Sequence, residues 1–94
     1  MNGGEKSEKR REKRKLVTVP VECRTPGEAE NFSARGITVN VSPSGVSFYT
    51  HKKLEEGANI LISGNDLWEG PRRGEVKWCT RIIGGLYRVG MLLG

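Results

Sequence analysis

Apolar residues along this chain recur at every second position, in short runs, and not at the three-to-four spacing of a helix. In a strand successive side chains point to opposite faces, so each run divides into an inner and an outer set. Leu16–Arg24 places Val17, Val19, Val21 and Cys23 on one face, with Pro20 opposite, which predicts an edge strand or a bulge there. Arg35–Val41 is the second predicted strand. It continues the alternation into Ser42, with Ile37, Val39 and Val41 expected in a core and Thr38, Asn40 and Ser42 facing outward. Val46–Thr50 and Ala58–Ser63 follow as the third and fourth. Arg72–Thr80 is the fifth, with Trp78 in phase with Val76 and therefore expected in the core, and Glu75, Lys77 and Cys79 on the other face. In the last, Leu86–Leu93, Tyr87, Val89, Met91 and Leu93 alternate with Arg88, Gly90 and Leu92.

The residues between these runs are turn formers. Thr25–Asn31 is turn-rich and acidic, and predicts a longer hairpin loop. Pro43 cannot donate a ladder hydrogen bond, so the second strand must end or lie at an edge there. Gly45 then permits either a turn with positive φ or close approach of a partner to the backbone. Glu55-Glu56-Gly57, Gly64-Asn65-Asp66 and Gly84-Gly85 mark three further turns, the last a hairpin. Thirteen glycines and four prolines in 94 residues suit many tight turns. Six short strands joined mainly by turns predict an all-β, six-stranded antiparallel β-barrel, because closure removes the exposed edges of an open sheet. The length suits one domain, expected over residues 9–94, after a disordered tail at 1–8.

Charge changes this picture at one end only. Residues 1–15 carry seven lysines and arginines against three glutamates, a net +4 of the chain's +5. The barrel is therefore nearly neutral and carries a flexible basic N-terminal arm, which implies an anionic partner. No apolar run approaches the roughly 20 residues of a membrane span, and the charged N-terminus is unlike a secretory signal. A cytoplasmic setting is expected. Cys23 and Cys79 are far apart and lack CxxC companions, so buried free thiols are expected, not a metal or disulfide site. Enzyme classes find little support: there is no P-loop, no HExxH and no Cys/His cluster, and nothing orients His51, the only histidine. Arg72, Arg73 and Lys77 are expected as a solvated rim.

Candidate chemistry concentrates in two places. In the arm, Arg10 and Arg14 are four residues apart, with Lys9, Arg11 and Lys13 beside them. A guanidinium is a planar fork of donors that suits phosphate oxygens and the O6/N7 edge of guanine. In the barrel, Asn40 offers an amide, Ser42 a hydroxyl and Gly45 an unobstructed backbone. Arg10-x-x-x-Arg14 followed by Asn40-x-Ser42-x-x-Gly45 resembles the paired motifs of the PilZ domain family, RxxxR and D/NxSxxG, over roughly residues 9–93. The aromatic of the fifth strand and the late Val89-Gly90-Met91 also fit.

The resemblance implies a six-stranded barrel that binds the bacterial second messenger cyclic di-GMP, and no enzyme activity or cofactor. It implies that Arg10 and Arg14 clamp guanine and phosphate groups, that Asn40 and Ser42 meet a guanine edge and its phosphate surroundings, and that Gly45 shapes the turn beneath them. Lys9, where the family often has a residue that alters the binding mode, and Arg11 are secondary candidates. Asn40 in place of Asp removes a charge-assisted hydrogen bond. The family binds one ligand molecule or an intercalated pair, and both remain open here. The family's common C-terminal helix has no expected counterpart. The expected mechanism is an arm that closes over the ligand and signals to a downstream protein or neighbouring domain. Two other classes stay in play: a small basic barrel binding nucleic acid, less expected because at least three of six aromatics look inward, and a degenerate protein-interaction adaptor.

Overall fold

The computed structural model of the protein describes residues 15–26 and 33–94. The predicted tail at 1–8, the arm residues Lys9, Arg10, Arg11 and Arg14, and most of the predicted loop at 25–31 lie outside the described residues. Seven strands are formed among the described residues, and no helix: β1 (Lys15–Leu16), β2 (Pro20–Arg24), β3 (Ser33–Ser42), β4 (Gly45–Thr50), β5 (Asn59–Ser63), β6 (Arg72–Ile83) and β7 (Leu86–Leu93). Every pairing is antiparallel. The ring runs β3-β2-β5-β6-β7-β4 and closes through β3–β4. This is the six-stranded barrel that the alternation predicts, with β1 added beside β3.

The inner faces fill the barrel. Phe48, Ile62, Val76, Val89 and Cys23 are almost wholly removed from water and pack with Val46, Met91 and Leu93. Each large apolar side chain buried in this way contributes roughly 1.5–3 kcal/mol. The alternation of β7 is as the sequence predicts, with Val89, Met91 and Leu93 inward and Leu92 outward. The turns at Gly57 and Gly84-Gly85 also fall where expected, and Gly57 and Gly84 both adopt positive φ. Gly84 opens a two-residue loop between the paired Ile83 and Leu86, a conformation that residues with a Cβ rarely adopt.

Three local features depart from the simple alternation. First, the predicted strand Leu16–Arg24 is divided, because residues 17–19 are held by a side chain. Thr38, buried in the barrel wall, donates its hydroxyl to the Val17 carbonyl and accepts from the Val19 amide at 2.9 Å. The flanking backbone bonds are Thr38 N–H to the Val19 carbonyl (3.0 Å) and Val17 N–H to the Val39 carbonyl (3.3 Å).

Second, β3 carries a bulge. Thr38 pairs with Phe48 but Asn40 pairs with Ser47, so Val39 is an extra residue. A one-residue insertion exchanges the two faces. Ahead of it Ala34, Gly36 and Thr38 point inward and Ile37 is 44% exposed, the reverse of the expected phase. Beyond it Val41 packs against the core as expected, and Asn40 and Ser42 lie on the outer side.

Third, β6 bulges at Lys77, between the paired Val76 and Trp78. Trp78 therefore leaves the face of Val76 and turns outward, 39% exposed, while Cys79 takes the inward position and packs against the core. The core position expected for Trp78 is thus corrected by this bulge.

Candidate functional site

The two bulges build one surface. Leu16, Asn40, Ser47, Gly90 and Trp78 are successive cross-strand partners on β1, β3, β4, β7 and β6. Directly opposed residues of an antiparallel ladder share a face, so these five form one outward row. Ile37, Tyr49, Arg88 and Thr80 form the next row, and Ser42, Gly45, Leu92 and Glu75 the row beyond. Without the extra residues at 39 and 77, Asn40 and Trp78 would not stand on the same side as Ser47 and Gly90.

At one end of this surface lies the Asn40–Gly45 hairpin. The Ser47 hydroxyl donates to Asn40 Oδ1 at 3.2 Å, which engages the oxygen of the amide and leaves its NH2 as the donor side. Ser42 and Gly45 pair directly across the Pro43-Ser44 turn, with Ser42 Oγ 3.5 Å from the Gly45 carbonyl. Gly45 does not have positive φ, so close approach is its role. A Cβ there would sit 3.3 Å from the Met91 carbonyl and 3.7 Å from Ser42 Oγ. Arg72, expected on a solvated rim, reaches the Pro43 carbonyl at 3.5 Å and stacks over Trp68 at 5.8 Å. Arg73 and Lys77 are exposed, as expected, and the Lys77–Glu75 pair at 4.0 Å is too solvated to contribute much.

At the other end is an arrangement that the sequence reading missed. The Arg88 guanidinium carbon lies 5.9 Å from the ring centroids of both Tyr49 and Trp78. Its Nε is buried and has no hydrogen-bond partner among the described residues. A buried donor left unpaired costs about 1–3 kcal/mol. Gly90 makes room for the indole, since a Cβ at that position would overlap Cε2, Nε1 and Cζ2 of Trp78. The available sequence signal was Arg88 alternating outward one residue from Val89-Gly90-Met91. That Trp78 would meet it depended on the bulge.

The surface is open. A shallow groove lined by Ser33, Arg35, Thr50 and His51 lies toward the other end of the β3–β4 pair and shares no residue with the rows from Asn40 and Ser42. Among the described residues no cluster of His, Cys, Asp and Glu could hold a metal ion, and no helix is long and apolar enough to cross a membrane. Burial, reinforced by neighbouring Glu22, pushes the Cys23 thiol up to about 12. Cys23 and Cys79 are both free thiols.

Of the residues selected from sequence, the structure brings Asn40, Ser42 and Gly45 together at the hairpin. Arg10, Arg14, Lys9 and Arg11 lie outside the described residues. Lys15, bonded to Arg14, is the cross-strand partner of Val41.

A closed antiparallel barrel with an outward polar hairpin and an aromatic–arginine surface defines a small β-barrel binding module. The chain belongs to the PilZ domain family, whose model matches residues 8–92. PilZ domains are binding or receptor modules rather than enzymes, and membership implies a cyclic di-GMP-binding module. Among solved structures it is similar to the Bacillus subtilis inhibitor of motility, MotI/DgrA, with a TM-score of 0.68 and 11% sequence identity. That alignment covers 90% of this chain and 42% of the other, so this chain spans less than half the length of its structural neighbour. At that identity the likeness concerns the fold. No curated protein sequence matches the chain.

Proposed function

We propose that the chain is a cyclic di-GMP receptor module whose N-terminal arginine arm closes over the ligand on the outer face of the barrel. The observation that carries this is the position of β1. It pairs with Asn40 and Val41, so the arm leaves the barrel beside the Asn40–Gly45 hairpin. Arg14 adjoins Lys15, and consecutive Cα atoms are about 3.8 Å apart. The arm is thereby joined to the barrel at Lys15, opposite Val41.

Each group then has a role. Arg10 and Arg14 clamp phosphate and guanine edges, with Lys9 and Arg11 as secondary contacts. Asn40, braced by Ser47, and Ser42 meet a guanine edge and its phosphate. Trp78 and Arg88 offer stacking, worth about 1–3 kcal/mol per base on an aromatic, and Arg88 Nε has no hydrogen-bond partner among the described residues. Closure of the arm alters the surface seen by a downstream protein or neighbouring domain. We assign the bacterial cytoplasm as its compartment, in keeping with two free thiols.

Calorimetric titration with cyclic di-GMP, cyclic di-AMP and GTP tests this, repeated with Arg10→Ala. Saturable binding of cyclic di-GMP alone, lost in the variant, is the expected result, and it gives the stoichiometry. No heat with folded protein would overturn the proposal. The outward Trp78 favours a second reading, single-stranded nucleic acid on the same face. Such binding would fall linearly in log salt and lack preference for one nucleotide.

A further inference from the structure

Ser42 and Gly45 are direct cross-strand partners, so β3 and β4 are joined by a loop of two residues, Pro43-Ser44. Two-residue hairpin loops favour turns with positive φ, because the twist of those turns matches the twist of the strands. This loop has no positive φ. The ring of Pro43 fixes φ at about −65°, and among the described residues only Gly57 and Gly84 adopt positive φ. The turn is therefore not of the kind that the strands themselves select, and groups outside it hold it in place. The Leu93 N–H donates to the Ser44 carbonyl at 2.8 Å. Arg72 Nη2 lies 3.5 Å from the Pro43 carbonyl oxygen and 3.5 Å from that of Gly94. Pro43 has no N–H, so its carbonyl is its one backbone hydrogen-bonding group.

Arg72 reaches the turn from inside. It is in phase with buried Gly74 and Val76, ahead of the register shift at Lys77, so it stands on the inner face where β6 enters the barrel. Asn40 and Ser42 are on the outer side. The Arg72 guanidinium carbon is 5.8 Å from the centroid of the Trp68 ring. Trp68 is itself fixed, since it packs against the core and its N–H donates to the Gly64 carbonyl at 3.0 Å. A planar guanidinium stacked on a fixed ring keeps its donors aimed in one direction, which a lysine does not. We propose that Arg72 is a positioning residue for ligand binding: seated on Trp68, it braces the Pro43-Ser44 turn from the barrel mouth and so sets Ser42 and Gly45 for cyclic di-GMP. It acts through the turn and not by contact with the ligand, and its effect on affinity rests on the ligand reading above.

Calorimetric titration of the 94-residue chain with cyclic di-GMP, paired with amide NMR spectra of the free chain, tests this. Arg72→Ala should weaken binding about fivefold and shift the Ser44 and Gly45 amide signals. Arg72→Met retains an apolar stem over Trp68 and lacks the donors. It should show the same loss, and it decides the question if Arg72→Ala does not fold. Arg72→Lys keeps the charge without the planar fork and should recover part of the affinity. Arg73→Ala removes an equal charge from the exposed outer face and should leave affinity and both amide signals as they are. Wild-type affinity in Arg72→Met would overturn the proposal. So would an equal loss in Arg73→Ala, which would mean a general charge effect, or Ser44 and Gly45 signals that do not respond to Arg72→Met. If the unaltered chain binds no cyclic di-GMP, the ligand reading fails, and those signals alone decide whether Arg72 holds the turn.

Discussion

β3 and β6 are the two longest strands of the barrel; β3 bulges once, at Val39, and β6 shifts register at Lys77 and again between Arg81 and Ile83, and they end differently. β3 loses β2 as a partner after Ile37 and gains β1 at Asn40–Val41, stitched down through Thr38. β6 loses β5 after Glu75 and gains nothing on that side among the described residues. The same device thus produces a covered end that positions a motif and an open end that presents backbone and apolar side chains. The bulge turns the side chains outward in both cases. Whether a neighbouring segment covers the strand decides whether that face is finished within the chain or available to something else.

The largest expected effect concerns the two cysteines, Cys23 on β2 beside the first half of β3 and Cys79 on the second half of β6. The folded thiol of Cys23 is pushed up to about 12 from an ordinary 9.0. The unfolded chain releases this proton first as pH rises, so stability is intact below about pH 9 and falls between about 9 and 12. At 1.36 kcal/mol per unit the loss approaches about 4 kcal/mol. Urea denaturation across that range should show it, and Cys23→Ala should flatten the slope. A thiol reagent at neutral pH should label Cys79 well before Cys23.

Next, Thr38→Val removes the side-chain bonds to Val17 and Val19 and leaves only the backbone bonds to hold residues 17–19 against β3, at a cost of about 1–3 kcal/mol. Because β1 is then held less firmly, cyclic di-GMP affinity should fall with stability. A loss of stability alone, with ligand affinity unchanged, would show that the stitch does not serve the arm. On the β6 side, Gly90→Ala drives a methyl into the Trp78 indole. The overpacking should cost about 1–3 kcal/mol, measured by thermal melts, and displacement of the ring should change its fluorescence. The smallest effect is expected from Ser47→Ala. It frees the Asn40 amide and should weaken ligand binding by about 1 kcal/mol, roughly fivefold, with little change in melting temperature. A titration showing no change would mean that Asn40 needs no brace.

Most strand positions, the turns and much of the core were legible in the sequence because they rest on local signals. The inward set of β7, the Gly84-Gly85 hairpin and the clustering of Asn40, Ser42 and Gly45 follow from period-two alternation and from the backbone limits of glycine and proline. The phase of Ile37 and the direction of Trp78 were not legible. Alternation predicts faces only while no residue is inserted, and insertion is set by the register with a strand distant in sequence. Val39 is extra relative to β4 and Lys77 relative to β7.

By itself, then, the sequence determined a barrel of short antiparallel strands, a basic arm and a polar hairpin, since each depends on neighbouring residues and their intrinsic geometry. Only the tertiary structure decided that Asn40, Ser47, Gly90 and Trp78 stand in one row and that Arg88 lies near the rings of both Tyr49 and Trp78. It also decided that β1 covers the end of β3 while no strand among the described residues pairs with the end of β6 opposite β7. Those outcomes depend on cross-strand register and barrel closure, which no stretch of the chain encodes alone.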